Sequence, residues 1–113
     1  MKNIVLLVIL ITINSCSLFK SEEQNYHKGY FSYIADAAIF VDCKTNQKYP
    51  VAMEGDYIKL EEKYLQVVKT GGEKIIVTLN GKIVEKDKIE GEGRRDFLVV
   101  DKFLDIFPNE NCN

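Results

Sequence analysis

The pattern of the chain begins with a run of apolar residues that has no polar stripe. Residues 4–13 (IVLLVILITI) follow Lys2 and precede the small residue Ser15 and then Cys16. A helix of this length reaches about 15 Å, roughly half of a bilayer's hydrocarbon core, so it is too short for an ordinary membrane span. A buried core helix, the alternative, usually keeps a polar stripe. The pattern therefore predicts an export signal over residues 1–15.

A polar stretch and then three strand-like runs come next. Residues 17–28 (SLFKSEEQNYHK) lack apolar periodicity, and residues 16–28 are predicted to be a tether to a domain over residues 29–113. The strand-like runs are rich in aromatic and β-branched residues. They are YFSYI (30–34), AIFVDC (38–43) and KYPVAM (48–53). Pro50 cannot donate a ladder hydrogen bond, so the third strand is expected at a sheet edge or a bulge.

After residue 56 the period becomes helical. The apolar stripe consists of Tyr57, Leu60, Tyr64 and Val68. This spacing predicts one helix over about residues 57–70, with Asp56 as N-cap and Gly71-Gly72 as its end.

The last third of the chain again has strand-like composition. KIIVTL (74–79) and KIVEK (82–86) flank Asn80-Gly81, which suits a type I′ turn, so a β-hairpin is predicted there. The charged loop DKIEGEGRR leads to a final strand over Asp96–Phe107. This order of elements is that of a mainly β protein, a small OB-like barrel of five or six strands with one α-helix. A generic α+β sheet covered by one helix fits the order as well.

Charge argues against nucleic acid as a partner. The chain has 15 basic and 17 acidic side chains, and of the basic ones only Lys2 lies in the predicted signal. The remaining domain is mildly acidic, whereas nucleic-acid binding requires a basic surface. This charge also provides no attraction to anionic lipid head groups.

The residues around Cys16 resemble the lipobox of bacterial lipoproteins. Ile13-Asn14-Ser15-Cys16 has an aliphatic residue, a middle residue, a small residue and then the cysteine. The resemblance implies a diacylglyceryl group on Cys16, cleavage before it, and acylation of the new N-terminus, for example with palmitate. Two or three acyl chains hold a soluble domain firmly at a membrane, whereas one does not. An ordinary secreted protein with a free thiol is the alternative.

The position after the anchor bears on localisation. Ser17, rather than Asp, matches the enterobacterial rule for sorting to the outer membrane, so an anchored protein that faces the periplasm is expected. Display at the cell surface stays open.

Cys43 and Cys112 then form an even pair in an oxidising compartment, where a disulfide is expected. In the chain-entropy model, closing a loop of that length contributes about 4 kcal/mol. A redox switch is the alternative. No metal site is expected, because the chain has no CxxC motif and only one histidine, His27.

Catalytic signals are weak in this sequence. It has no nucleophile elbow and no phosphate-binding glycine loop, and His27 lies in the predicted tether, so neither an enzyme nor a cofactor is expected. OB folds bind ligands on the face of strands two and three, where exposed aromatic rings would stack. The candidates for such a ligand face are Tyr33, Phe40 and Tyr49. Alternation along the first strand places Tyr30 on the face opposite Tyr33.

Four separated blocks of the chain carry a family resemblance. They are YFSYIADAAIFVDCKTNQKYPVA, EGDYIKLEEKYL, VTLNGKI and FLVVDKF with the later Pro108 and Cys112. Together they resemble the C-terminal OB-type domain of the NlpE family of outer-membrane lipoproteins, and the likeness covers residues 29–112. It implies an OB-like barrel, a lipid-anchored envelope location and a disulfide between Cys43 and Cys112. It implies more loosely a part in sensing envelope stress, surface contact or copper. The CxxC motif of that family's separate N-terminal domain has no counterpart in this sequence, so copper chemistry is not expected.

Two non-enzymatic functions follow from these patterns. One is a sensor or regulator of envelope stress that contacts another, unidentified envelope protein. The other is a passive OB module that binds a glycan or a peptide. A monomer is expected in either case.

Overall fold

The structure, a computed structural model, describes residues 25–113. The predicted export signal, Cys16 and residues 17–24 of the predicted tether lie outside the described residues. The elements are β1 (Tyr26–Ile34), β2 (Ala37–Asp42), β3 (Lys48–Pro50), α1 (Tyr57–Val67), β4 (Ile75–Asp87) and β5 (Arg94–Phe107). The predicted class, mainly β with a single helix after the third strand, is confirmed.

The five strands form one sheet in the order β3-β2-β1-β4-β5, and every neighbouring pair is antiparallel. The two edges of this sheet meet at one point, because Val51 forms a parallel bridge with Leu98 of β5. The backbone N–H of Ala52 donates to the carbonyl of Leu98 at 2.9 Å. The sheet therefore curls towards a barrel, as in an OB fold, although no continuous ladder joins β3 to β5 in the described part of the chain.

The core lies between the inner face of this curled sheet and the helix. The strand register aligns Phe31, Phe40 and Tyr49 in one row across β1, β2 and β3. Tyr64 of the helix packs edge-on against Phe31, with ring centroids 5.2 Å apart. Its hydroxyl donates to the carbonyl of Glu73 at 2.6 Å, so this buried polar atom has a partner.

The helix begins at Tyr57 as predicted, but it ends earlier than predicted and its first turn is capped differently. It finishes at Val67, because Val68 has an extended backbone with ψ 141°. Asp56 precedes the helix as expected, but its side chain makes no capping hydrogen bond to the first turn. Instead the Asp56 carboxylate accepts from the backbone N–H of Phe103 at 2.8 Å. The start of the helix is thereby attached to β5.

The predicted hairpin at Asn80-Gly81 is wrong. Both residues lie inside β4, which pairs with β5 through irregularities at Thr78/Leu79 and Asn80/Gly81. A Cβ on Gly81 would overlap the carbonyl oxygen of Val99. Glycine is therefore needed here for a close approach of two strands rather than for a turn, which is a common role of glycine inside a strand.

The predicted tether is also too long. Residues 26–28 pair with residues 78–80 of β4 and so belong to β1. His27 is consequently held by the sheet, with Nδ1 3.1 Å from Oδ2 of Asp42. Its ring lies edge-on to Phe40 at a centroid distance of 6.3 Å. The polar composition of this segment does not predict a strand. It becomes one by pairing with residues that lie some fifty positions away in the sequence.

Asp42 organises the turn between β2 and β3. Its Oδ1 accepts from the backbone N–H groups of Lys44 at 2.7 Å and Thr45 at 3.2 Å. Burial by itself would raise the pKa of Asp42, but the hydrogen bonds from His27 and the two amides outweigh this effect. The pKa of this carboxyl is therefore lowered from its ordinary value of 3.8.

The residue after Asp42 joins this turn to the C-terminal tail. Cys43 and Cys112 form a disulfide, with Cα atoms 5.4 Å apart and a sequence separation of 69 residues. The backbone N–H of Cys112 donates to the hydroxyl of Tyr30 at 3.3 Å. Tyr30 alternates with Phe31 of the core, so the tail lies on the outer face of the sheet.

We predict that Gly81→Ala lowers the free energy of unfolding by about 1–3 kcal/mol, because the new methyl group forces β4 and β5 apart. Gly71→Ala is the matched control, since a Cβ there meets no described atom within 4 Å. Its effect should stay within about 0.5 kcal/mol. Urea unfolding of both variants measures the difference, and equal stabilities would contradict the proposed close approach.

We predict that Asp42→Asn lowers the unfolding free energy by about 1–3 kcal/mol at neutral pH, because the turn amides and His27 lose a charged acceptor. The pKa of Asp42 is lower in the folded than in the unfolded state, so its contribution is present above the unfolded pKa. That contribution is lost as the pH falls through the folded pKa. The loss caused by the substitution should therefore shrink in acid.

Urea unfolding at neutral pH and near pH 3 tests this pH dependence. Asp101→Asn is the control, since Asp101 is exposed and, within residues 25–113, its one ion pair is with Lys82 at 2.9 Å. Equal effects of the two substitutions at both pH values would contradict the assignment to Asp42.

Candidate functional site

A groove of about 860 Å³ opens between the β1–β2 turn and the β4–β5 loop. Its walls are residues 35–39, residues 50–53 at and after the end of β3, and residues 88–90 of the loop, together with Arg95 and Phe97 of β5. In OB folds the loops between strands one and two and between strands four and five flank the usual ligand site. The groove is therefore the candidate functional site of this domain.

The β1–β2 turn that forms one wall has an unusual backbone. Ile34 pairs directly with Ala37, so the turn has two central residues. Both have positive φ angles, 54° at Ala35 and 66° at Asp36. These angles suit a type I′ hairpin turn, for which Asn-Gly is the preferred sequence. Alanine is rarely found with positive φ, so this wall is held in place by the strands rather than by local preference.

The floor of the groove is apolar and belongs to a second, smaller core. Ala52, Phe97 and Val99 are buried together, and the partly buried Val84 packs against them. Leu98 and Val100 point to the main core, so consecutive β5 residues are buried on opposite faces. The floor therefore belongs to a strand that is buried on both sides.

The rim of the groove combines exposed apolar side chains with charges of both signs. Met53 is 60% exposed and Ile89 is 82% exposed. The charged residues of the lining are Asp36, Lys88, Glu90 and Arg95. Phe97 is the single aromatic residue among the described residues of the lining, and it is only 4% exposed. Such a surface can bind apolar and charged groups but offers no ring for stacking a sugar or a base.

The aromatic residues predicted to form a ligand face do not line this groove. Phe40 is completely buried in the main core, so its assignment to a ligand face is wrong. Tyr33 and Tyr49 are half-buried and pack against that same core. The Tyr33 hydroxyl donates to Oδ1 of Asp36 at 3.2 Å and so supports the turn at the edge of the groove. The register places these rings on the inner face of the sheet, whereas aromatic composition alone cannot distinguish the two faces.

Sequence reasoning missed the residues that do form the rim. Ile89 had a detectable signal, since it is a large apolar residue within the charged loop DKIEGEGRR. Met53 and Ala35 had none, because their positions depend on how the sheet curls.

Among residues 25–113, no three His, Cys, Asp or Glu side chains lie close enough together to hold a metal ion. The helix in this range is neither long nor apolar enough to cross a membrane.

Comparison with known proteins agrees with this fold. Residues 21–113 match the family model of the NlpE C-terminal OB domain. Lipoprotein NlpE of Escherichia coli (strain K12) is 26% identical over 86 residues, which are 76% of this chain and 35% of the relative. The chain thus spans about a third of the length of that curated relative.

A solved structure shows the same architecture. The crystal structure of the Cpx pathway activator NlpE from Escherichia coli superposes with a TM-score of 0.64 and 21% sequence identity. The match covers 97% of this chain and 55% of the solved chain. At this identity the likeness establishes the fold. The family match extends over the whole described domain, and the chain therefore belongs to the NlpE C-terminal OB domain family.

Proposed function

We propose that this chain is a non-enzymatic protein of the bacterial envelope that is anchored to the outer membrane through lipid on Cys16. In this proposal it regulates an envelope stress response by contact with another envelope protein. Family membership over residues 21–113 carries the proposal. Escherichia coli NlpE is a lipoprotein and a Cpx pathway activator.

The distance between the proposed anchor and the domain supports action close to the membrane. Tyr26, the start of β1, lies ten positions after Cys16. A chain of that length spans at most about 35 Å when fully extended. A partner must therefore reach the domain within a few tens of ångströms of the bilayer.

The chemistry of the groove supports a protein contact. Exposed Ile89 and Met53 beside charges of both signs are typical of a surface that binds another polypeptide. The contacts of His27 support the non-enzymatic part of the proposal. Its carboxylate partner, Asp42, also accepts hydrogen bonds from the backbone amides of Lys44 and Thr45. The His27–Asp42 pair therefore stabilises the β2–β3 turn.

A passive peptide-binding module is the second candidate function. The groove favours it, since it lies where OB folds bind ligands. A glycan is less well supported than a peptide, because Phe97 is buried and offers no stacking surface. A module of this kind would retain its ligand after purification and would leave stress-gene expression unchanged.

We predict that overproduction of the full-length chain in its native host activates an envelope-stress reporter, and that Cys16→Ala abolishes this response. Without the lipid the domain is no longer held at the membrane where the partner lies. Ser17→Ala is the matched control and should keep both the response and the membrane location. Reporter activity, blotting for protein level and membrane fractionation are measured together.

Two results would contradict this proposal. If no well-expressed form activates the reporter, the likeness to NlpE concerns the fold alone, and ligand screening of the groove comes next. If Cys16→Ala stays in the membrane fraction, the proposed anchor is wrong.

A Cys43→Ser/Cys112→Ser variant separates a structural role of the disulfide from a redox role. If the disulfide is structural, reporter activity falls only in proportion to the amount of protein. If it has a redox role, reporter activity changes even when the amount of protein equals that of the wild type.

A further inference from the structure

The β4–β5 loop holds a large apolar side chain out in solvent. Ile89 is 82% exposed, more than any other large apolar residue that the structure describes. The loop is closed at its base, where the backbone N–H of Lys88 donates to the carbonyl of Gly93 at 3.0 Å. Ile89 is thus presented at the rim of the groove, beside an apolar floor onto which a second such side chain could pack.

The charges around Ile89 differ from their neighbours on the same strands. Arg94 pairs with Asp87 at 2.9 Å, and Lys86 pairs with Glu54 at 2.8 Å. The four charges of the groove lining make no ion pair with any other residue in the range 25–113. They are Asp36, Lys88, Glu90 and Arg95. Two acids and two bases therefore surround one apolar surface and remain available to a partner.

We propose that this groove is a self-association site, which receives the β4–β5 loop of a second copy of this chain. In a two-fold contact both copies present the same surface. Each contact from one residue of the first copy to another residue of the second is therefore repeated in the opposite direction. A rim with equal numbers of acids and bases can then place each base of one copy against an acid of the other. The apolar centre of the contact is Ile89 of each copy on the floor of its partner, at Ala52 and Phe97.

This inference goes beyond the proposed function, since it requires neither a stress response nor a second kind of protein. It replaces the sequence-based expectation of a monomer. The lining has 14 residues, whereas each side of a standard protein interface has about 20–30, so we expect the contact to be weak in solution. Confinement of both copies to one membrane would raise their effective concentration.

The first test uses two full-length copies with different affinity tags, produced together in the native host. A photo-crosslinking amino acid replaces Ile89 in one copy. The matched control carries it at Leu65, which is 53% exposed on the helix and is not part of the lining. We expect a product with both tags from position 89 and none from position 65. The attachment sites should lie in residues 35–39 or 50–53 of the other copy.

The second test exchanges the rim charges. One variant is Glu90→Lys, and the other is Lys88→Glu/Arg95→Glu. Each variant should pair with itself at least about tenfold less than wild type, because like charges then face each other. Co-production of the two variants should restore the doubly tagged product, since basic and acidic rims are again opposed. Restoration also demonstrates that both variants are folded.

Three outcomes overturn the proposal. One is the absence of a doubly tagged product when the photo-crosslinking amino acid is at position 89 and the rim charges are wild type. Another is a crosslink from position 89 to a different envelope protein alone, which assigns the groove to a hetero-partner. The third is a failure of the two charge variants to recover the product together when the wild type gives it.

Discussion

The contact between the segment after β3 and strand β5 determines most of this fold. Val51 bridges Leu98, the N–H of Ala52 donates to the Leu98 carbonyl, and the N–H of Asp56 donates to the Val100 carbonyl at 2.8 Å. These bonds join the segment after β3 to β5, and the two strands are the opposite edges of the sheet, four places apart in its order. The same segment then enters the helix, so closure of the sheet also fixes the helix over its open end. Gly55, with φ +64°, makes this bend possible, and a Cβ there would overlap the Val100 carbonyl.

The groove is a by-product of incomplete closure. The bridge at Val51 closes one stretch of the seam, while residues 35–39 and the β4–β5 loop stay apart. Ala52 and Phe97 form the bottom of this opening. Evolution can thus vary the two loops at the rim without disturbing the aromatic row that stabilises the interior.

Much of the fold could be read from local sequence patterns, because many of its causes are local. Helical spacing gave Tyr57, Leu60 and Tyr64 as the buried face of α1, and the strand-like runs marked the sheet. Turns were harder. Asn80-Gly81 has the strongest hairpin signal, yet these two residues continue β4, because β4 pairs with the long strand β5 on both sides of them. Ala35-Asp36 has almost no turn signal, yet pairing of β1 with β2 forces two positive φ angles there.

The site was less predictable than the fold for a related reason. A groove is defined by residues that meet from distant parts of the chain, here positions near 36, 52, 89 and 97. Aromatic residues were natural candidates for a ligand face, but the register turned Phe40 inward. Composition reports how apolar a strand is, whereas only the pairing of its neighbours reports which face meets water.

The position of β1 in the sheet determines how the domain would respond to mechanical load. The chain enters at Tyr26, and β1 lies between β2 and β4 in the middle of the sheet, hydrogen-bonded on both sides. A pull on the N-terminus along the strand must shear two ladders at once instead of peeling one edge strand away. The disulfide begins one residue after β2, and the N–H of Cys43 donates to the carbonyl of Lys28 at 2.9 Å. Tension applied at the N-terminus would thus load these two ladders first, before the loops of the groove.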